Sequence, residues 1–332
     1  MFIRTIVTLT ILAGVIGRST AVISHHHHRR CLGDFHTRLA DWASSGEDVP
    51  TIADGWDSRA MEMNSRIHSA SRYVVSAVPN LATSISLSEN NKRDVVSISG
   101  KRGLAFNNAT LANLFGASCS NCSWGYNWGS SSRGLNSRYS YVPMLWSDDA
   151  SLTSQWDRDA EIAISSGASS MFSFNEPDNV GQANMLPQAA AAAHIKYLNK
   201  YGGRVKIGAP AVTNSVKPGE GIQWLEHFLN ACGGQCHVDF CNVHWYAPAE
   251  DVDNLFEHLE KAHEACAGKP VWLTEFAPVS GDIQGFLRQV IPKLESMDYV
   301  EAYSYFMVAL DSLMSSASTL SSFGEVYAAL PA

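Results

Sequence analysis

The chain has 332 residues, of which 45% are hydrophobic and 17% charged, and its formal net charge is −8 at pH 7. This length suits either two domains of about 150 residues or one barrel with an appendage, and the composition excludes a collagen-like or wholly disordered chain. Because charged residues fall below the usual share of about 25% and acidic residues dominate, we expect no nucleic-acid partner and a neutral, hydroxyl-rich ligand.

The N-terminus has the layout of a secretory signal peptide, which we assign to residues 1–21. Arg4 precedes an apolar run from Ile6 to Ile16, and the small residue Ala21 follows. This run is short for a membrane span, so an uncleaved anchor is the less favoured alternative, and no later stretch predicts a span. We expect a monomer without an integral membrane span after signal cleavage, secreted to the extracellular space or the cell wall.

Residues 22–100 predict an irregular, Ser-rich N-terminal extension. The segment is of low complexity and carries the histidine run His25 to His28, but it shows no sustained strand pattern. The histidines could bind a metal, although a low-complexity or expression-derived tract is the favoured interpretation. We treat this segment as a linker or appendage.

Residues 101–332 alternate short apolar runs with amphipathic segments at the spacing of βα units. Helices are predicted in SLTSQWDRDAEIAISSG, QAAAAAHIKYLNK, GIQWLEHFLNAC, DVDNLFEHLEKAHEAC and GDIQGFLRQVIPKLESM, and none in the short Ser/Gly-rich link SSSRGLNSR. The predicted strands are GLAFNNA from Gly103, CSWGYNWG from Cys122, YSYVPMLW from Tyr139, SMFSFNEP from Ser170, VKIGAPAV from Val205, VDFCNVHWYA from Val238, PVWLTEFA from Pro270 and YVEAYSYFMV from Tyr299.

Eight strands with intervening helices over about 230 residues predict an α/β protein of the (β/α)8 TIM-barrel class. The competing fold is a doubly wound open sheet. That fold favours a glycine-rich phosphate turn after its first strand, which GLAFNNATLANLFG lacks. In a barrel, the chemistry lies at the carboxyl ends of the strands.

Seven cysteines in a secreted chain indicate disulfides rather than thiol chemistry. We expect three bonds and leave Cys31 unpaired; a zinc site built from Cys232, Cys236, His237 and Cys241 is the alternative, although its spacing matches no zinc signature. The expected pairs are Cys119 with Cys122, Cys232 with Cys236, and Cys241 with Cys266.

Two carboxylates end apolar strands, Glu176 in FNEPD and Glu275 in LTEFA. Each has a structural alternative: Glu176 suits a turn, and Glu275 suits a buried ion pair. On the fourth and seventh of eight strands, however, they would face each other across the barrel mouth. Paired carboxylates without a set of metal ligands predict glycoside hydrolysis, in which one donates a proton and the other attacks the sugar or activates water.

Aromatic and amide side chains at the other strand ends are candidates for sugar binding, because aromatic rings stack on sugar faces and amides bind hydroxyls. Each tryptophan could instead belong to the core, and His244 could be a hydrogen-bonded core histidine or a residue that orients a catalytic glutamate. The candidate substrate-binding residues are Asn107, Tyr126, Trp128, Trp146, Asn175, His244, Trp245, Tyr246 and Tyr305.

The phrases RGLAFNN, SWGYNWG, YVPMLW, FNEPD, KIGAPAV, VDFCNVHWY and VWLTEFA together resemble the fungal catalytic cores of glycoside hydrolase family 128, which are endo-β-1,3-glucanases. The resemblance runs from about Arg102 to about Tyr327. It implies a (β/α)8 barrel that uses Glu176 as general acid/base and Glu275 as nucleophile on a β-1,3-glucan, with no metal or organic cofactor. Tyr305 stands where the family often has a tryptophan.

Two other functions remain open at this point: a catalytically silent β-glucan-binding protein, and a hydrolase of another β-glycan. Binding alone would tolerate amides in place of the two glutamates, which favours the enzyme. Asn108 and Asn121 begin N-glycosylation sequons, and a glycan on Asn108 would crowd the expected cleft.

Overall fold

The computed structural model describes residues 98–332, and its strands follow the eight predicted runs. The predicted signal peptide, the histidine run, Cys31 and the extension up to residue 97 lie outside the described residues. The strands are β1 (Arg102–Ala105), β2 (Cys122–Tyr126), β3 (Ser140–Tyr141), β4 (Ser170–Met171), β5 (Lys206–Ile207), β6 (Cys241–Ala247), β7 (Val271–Pro278) and β8 (Val300–Tyr305), followed by the hairpin β9 (Met314–Ser316) and β10 (Thr319–Leu320).

The eight strands close into a barrel. Six form a parallel sheet in the order β3-β2-β1-β8-β7-β6, and β4 pairs with β5. Parallel bridges join the two groups, from Met144 to Phe172 on one side and from Gly208 to Phe240 on the other. The predicted (β/α)8 barrel is therefore confirmed.

The third, fourth and fifth strands are short, with only two residues each in regular pairing. Pro143 follows β3 and Pro210 follows β5, and proline has no N–H to donate to a neighbouring strand. Single bridges therefore continue the ring where regular ladders stop.

Helices cover the outside of the barrel, and all five predicted helices are present. Two more occur in the described chain, one after β1 and one at the C-terminal end, and no helix joins β2 to β3, as predicted. The helices are α1 (Ala109–Ala117), α2 (Ala150–Ser165), α3 (Pro187–Tyr197), α4 (Gly221–Cys232), α5 (Val252–Ala265), α6 (Ile283–Ser296, which continues through Pro292) and α7 (Ser322–Ala329), with a 3₁₀ turn at Asn199–Tyr201.

Two hydrophobic layers hold these elements together. Alternate strand residues fill the barrel interior, where Trp124, Phe172 and Trp272 pack as a cluster of rings with centroids 5.1 to 6.0 Å apart. The larger layer lies between the strands and the helices. Because side chains alternate between these layers, position along a strand decides which residues can reach the site.

The three expected disulfides are confirmed. They join Cys119 to Cys122, Cys232 to Cys236 and Cys241 to Cys266, with Cα atoms 5.4, 5.3 and 6.3 Å apart. The alternative zinc site is wrong, because its three cysteines are all in disulfides. Among residues 98–332, no helix is both long and apolar enough to cross a membrane.

Candidate active site

A bulge in β7 places Glu275 in the barrel mouth. Along the β6–β7 pair, Val243 is opposite Leu273 but His244 is opposite Glu275, so Thr274 is an extra residue without a partner. A bulge of this kind re-aims the side chains beside it. Consequently the adjacent residues Thr274 and Glu275 both contact His244, although neighbours on a regular strand face opposite ways.

Glu275 is surrounded by hydrogen-bond donors. Trp128 Nε1 donates to its Oε1 at 2.6 Å, and the Tyr246 hydroxyl donates to its Oε2 at 2.6 Å. The Tyr126 hydroxyl lies 3.4 Å from Oε1 and donates to the Thr274 carbonyl at 3.1 Å. Donors of this kind stabilise an ionised carboxylate and hold its orientation.

Burial and charge tune this group of side chains. Burial raises the pKa of Glu275 and the charge of Glu176 adds to the rise, whereas His244 and the donors Tyr246 and Trp128 oppose it. Burial also raises the pKa of Tyr126 and Tyr246 well above the ordinary value. Both phenols therefore stay protonated and remain donors to Glu275.

Glu176 follows β4 in a strained backbone conformation. Its φ is +42°, a region that side chains larger than glycine rarely adopt, and its N–H donates to the Ala211 carbonyl at 2.8 Å. Its Oε1 lies 2.8 Å from His244 Nδ1, and its Oε2 accepts from Asn179 Nδ2 at 3.0 Å. The turn thus presents its carboxylate to the site, and Trp128 has comparable strain at φ +57°.

His244 lies between the two glutamates. It is fully buried, and one oxygen of Glu176, one ring nitrogen of His244 and one oxygen of Glu275 all lie within 4.8 Å of one another. Burial alone lowers the pKa of His244, but the charge of Glu275 and the hydrogen bond and charge of Glu176 outweigh it, so the net shift is upward. The imidazole therefore holds a proton more readily than a free histidine.

These three side chains are also close enough to contact a single cation. Both ring nitrogens of His244 are engaged, however, by Glu176 and by the Thr274 hydroxyl at 3.1 Å. The lone pairs of Glu275 are directed at the N–H and O–H donors described above. This arrangement suits the movement of protons, and we assign no metal to it.

Aromatic side chains line the mouth above the carboxylates. Trp128 and Trp146 are half-buried and pack on the ring cluster of the interior. Phe306, just past β8, packs edge-on against Trp128 and Tyr246 with centroids 5.7 and 5.6 Å away. Trp128 and Phe306 therefore place aromatic rings beside Glu275 and Tyr246.

Two predicted amides flank the site. Asn175 precedes Glu176 and is 4% exposed; its Nδ2 donates to Gln182, and its Oδ1 has no hydrogen-bond partner within residues 98–332. Asn107 follows β1 and is exposed, with Nδ2 3.8 Å from Met307 Sδ. Asn107 is therefore open to solvent, whereas the free amide oxygen of Asn175 is buried beside Glu176.

Two predicted substrate-binding residues are wrong because their side chains face the helices. Trp245 is fully buried, stacks on Phe286 of α6 with centroids 5.5 Å apart and donates to Asn254 of α5. Its neighbours His244 and Tyr246 face the site, so strand alternation points Trp245 outward. Tyr305 is 3% exposed and packs against Phe323 and Tyr327 of α7. Phe306, the next residue, lies at the mouth where Tyr305 was expected.

Three further predicted residues support Glu275 directly. Tyr126, Trp128 and Tyr246 were expected to bind substrate, but each lies within hydrogen-bond reach of a Glu275 oxygen. Tyr126 is completely buried beneath the carboxylate, which excludes contact with a ligand in the cleft. Trp128 and Tyr246 keep partly exposed surfaces that face the cleft.

The residues that sequence reasoning missed are Asn179, Asn242, Thr274 and Phe306. Asn179 directly follows the motif FNEPD and Thr274 belongs to the motif LTEFA, so their proximity to the two glutamates in sequence was a signal. Asn242 lies two residues before His244 and therefore shares its face of β6. Thr274 reaches the site only because of the bulge.

A family model described as "Glycosyl hydrolase catalytic core" matches residues 103–327. The chain is also 33% identical over 254 residues to the alkali-sensitive linkage protein 1 of Schizosaccharomyces pombe. That alignment covers 70% of this chain, which spans 45% of the relative's length.

Solved structures of glycoside hydrolase family 128 share the fold. A curdlan-specific exo-β-1,3-glucanase from Blastomyces gilchristii, in complex with glucose, is 40% identical with a TM-score of 0.65, covering 71% of this chain and all of that one. An endo-β-1,3-glucanase from Lentinula edodes is 25% identical with a TM-score of 0.58, covering 69% and 99%. One from Amycolatopsis mediterranei, in complex with laminaripentaose, is 25% identical with a TM-score of 0.59, covering 70% and 99%.

Proposed function

Because the chain belongs to the glycosyl hydrolase catalytic-core family, we propose that it hydrolyses β-1,3-glucan with retention of anomeric configuration. The observation that carries this proposal is the approach of Glu176 and Glu275, whose nearest carboxylate oxygens lie within 4.8 Å. Retaining glycosidases hold their carboxyl groups about 5 to 5.5 Å apart, whereas inverting enzymes need about 6.5 Å or more to admit a water.

Glu275 is the nucleophile in this proposal. Trp128 and Tyr246 donate to its two oxygens, which favours the charged form that attacks a sugar. The β7 bulge holds the carboxylate in the mouth. Its oxygen bonds to the anomeric carbon as the glycosidic bond breaks, and a covalent glycosyl-enzyme results.

Glu176 is the general acid and then the general base. Its oxygen lies 2.8 Å from His244 Nδ1, so the pair can hold the proton that the departing sugar oxygen receives. In the second step Glu176 takes a proton from water while the water oxygen attacks the anomeric carbon and releases Glu275. Glu176 is then protonated again, as it was before the first step.

The substrate class follows from the relatives and from the lining of the cleft. The Blastomyces and Lentinula enzymes are named as β-1,3-glucanases, and the Amycolatopsis structure holds laminaripentaose. In this chain, Trp128, Trp146 and Phe306 offer apolar faces, and Asn107 and Asn175 offer amides. Such a lining suits a neutral glucan better than a charged polymer.

Secretion to the extracellular space or the cell wall is part of the proposal. Three disulfides among the described residues favour an oxidising compartment. A soluble β-glucan or a glucan of the wall would be accessible there.

The test is a polysaccharide panel read by release of reducing ends. We expect turnover of laminarin and curdlan by the wild type and by Glu226→Gln, a change at an exposed helical glutamate, but none by Glu275→Gln. Oligosaccharide products would indicate endo action, and glucose alone would indicate exo action. Binding without release would support a glucan-binding protein, and turnover of only a β-1,4-mannan or mixed-linkage glucan would reassign the substrate.

A further inference from the structure

A continuous line of buried polar contacts leads from β6 to Glu176. The Thr274 hydroxyl donates to Asn242 Oδ1 at 2.5 Å, the same hydroxyl oxygen lies 3.1 Å from His244 Nε2, and His244 Nδ1 lies 2.8 Å from Glu176 Oε1. Asn242, Thr274 and His244 are all fully buried. Since water does not reach these atoms, each proton in the line must be placed by the protein.

The direction of the line follows from the number of protons available. An amide oxygen only accepts, and a threonine hydroxyl has one proton, so the proton given to Asn242 leaves the Thr274 oxygen to act as an acceptor toward His244. His244 Nε2 must then carry the donated hydrogen. The other ring nitrogen, Nδ1, is left with either a lone pair or the second imidazole proton, and it faces Glu176.

We propose that Thr274 and Asn242 fix the tautomer of His244, so that Glu176 and His244 share one proton and Thr274 sets the upper pH limit of turnover. This inference rests on the proposed function, in which Glu176 is the acid/base. Thr274 and Asn242 are positioning residues, since neither touches the reacting atoms.

The shared proton accounts for both halves of the reaction. Before attack it lies between Glu176 Oε1 and His244 Nδ1. As the bond between the anomeric carbon and the leaving oxygen breaks, this proton moves to that oxygen, and Glu275 supplies the electron pair to the carbon. In hydrolysis a proton returns from water to Glu176, while His244 keeps its Nε2 hydrogen throughout.

The other titratable groups around Glu176 and His244 do not determine which ring nitrogen of His244 carries the hydrogen. Glu275 Oε1 lies 3.4 Å from His244 Nε2 but is engaged by Trp128 at 2.6 Å. The titratable groups that face the pair are Glu275 on β7, Asp178 in the loop after β4, the phenols Tyr126 and Tyr246, and His258 on α5, whose pKa burial lowers to about 4. All of them are retained when only the Thr274 hydroxyl is removed.

The test compares Thr274→Val, which removes the hydroxyl at nearly constant volume, with Thr274→Ser, which keeps it. Without the hydroxyl, a hydrogen on His244 Nε2 keeps only the distant Glu275 Oε1, at 3.4 Å, as an acceptor, whereas a hydrogen on Nδ1 has Glu176 Oε1 at 2.8 Å. The neutral ring therefore places its hydrogen on Nδ1, which stabilises the state without the shared proton, and the pair loses that proton at lower pH. We expect the basic limb of the kcat/KM profile on laminarin to move down by about one to two pH units in Thr274→Val. Thr274→Ser should keep the wild-type limb.

Nitrogen-15 NMR of labelled histidine supplies a readout that does not depend on turnover. The His244 signals, identified by their loss in His244→Gln, should report a hydrogen on Nε2 in the wild type and on Nδ1 in Thr274→Val. Equal melting temperatures would show that the variants are folded. An unchanged basic limb, unchanged nitrogen signals, or a uniform fall in kcat without a pH shift would each overturn the inference.

Failure of the proposed function gives a different result. If the wild type releases no sugar from any glucan, the acid/base role of Glu176 fails, whereas the NMR comparison still tests how Thr274 controls the His244 tautomer. If the wild type is active and the Thr274→Val profile overlays it, only the inference about Thr274 fails.

Discussion

The two ends of the barrel treat buried charge in opposite ways. At the amino-terminal end of the strands, Arg102 is fully buried and all its polar contacts are satisfied: it donates to the Tyr303 hydroxyl, to the Tyr327 and Leu330 carbonyls and to Glu295. Lys101 next to it donates to three carbonyls at the C-terminal end of α6. Cations thus meet the negative ends of helices.

At the carboxyl end of the strands, the buried negative charge is only partly compensated. Glu176 and Glu275 both contact the titratable cation His244, and the backbone is strained at Glu176 and Trp128. Strain and partly compensated charge cost stability, and they persist where they serve chemistry. We therefore expect the amino-terminal end of the barrel to govern stability and the carboxyl end to carry the reaction, as in barrel enzymes generally.

The largest effect is expected from removal of the acid at the mouth. Glu176→Ala should lower kcat on laminarin by roughly 10²- to 10⁴-fold, the usual contribution of general acid–base catalysis. A glucoside with an activated aryl leaving group needs no protonation, so its first step should be much less affected. Burst kinetics with both substrates measure the difference, and an equal loss on both would contradict the acid role.

A smaller loss is expected from Trp128→Phe, which keeps an aromatic face but removes the Nε1 donor to Glu275. One hydrogen bond to a charged group corresponds to about 1.5 to 3 kcal/mol, or roughly 10- to 100-fold in kcat/KM. The acidic limb of the profile should rise in pH, because the ionised form of Glu275 loses a donor that lowers its pKa. Unchanged kinetics would show that the Nε1 donor of Trp128 does not stabilise the ionised form of Glu275.

At the opposite end, Arg102→Met should reduce stability and leave chemistry intact. Removal of this guanidinium takes away the cation paired with Glu295 and the donor to the Tyr327 carbonyl, which costs about 2 to 4 kcal/mol in the free energy of unfolding. Denaturant titration measures this cost, with Arg288→Met at an exposed site of α6 as the control. A fall in kcat of Arg102→Met well below the melting temperature would contradict the expectation that Arg102 affects stability and not turnover.

The smallest effect on turnover is expected from Trp245→Phe, because Trp245 faces the helices. KM for laminarin should stay within about twofold, with a stability loss of about 1 kcal/mol from the lost bond to Asn254. Trp146→Ala, at the mouth, should raise KM instead. A large KM change in Trp245→Phe would indicate that Trp245 contacts the substrate.

The sequence predicts the architecture better than it predicts the orientation of individual side chains. Apolar runs were enough to predict eight strands, because burial leaves few alternatives. The expected cysteine pairs were confirmed, although six cysteines allow fifteen pairings and their spacing alone does not select one. Strict alternation along β6 and β8 would also have removed Trp245 and Tyr305 from the cleft. The β7 bulge has no local signature, so the contact of Thr274 with His244 could not be foreseen.

Proton NMR of the sugar released from laminarin tests the proposed mechanism at its key step, since a nucleophilic Glu275 with Glu176 as acid/base makes two displacements at the anomeric carbon. We expect the β-anomer to appear first and to mutarotate afterwards to the equilibrium mixture. First appearance of the α-anomer would indicate a single inverting displacement and contradict the assignment of Glu275 as nucleophile.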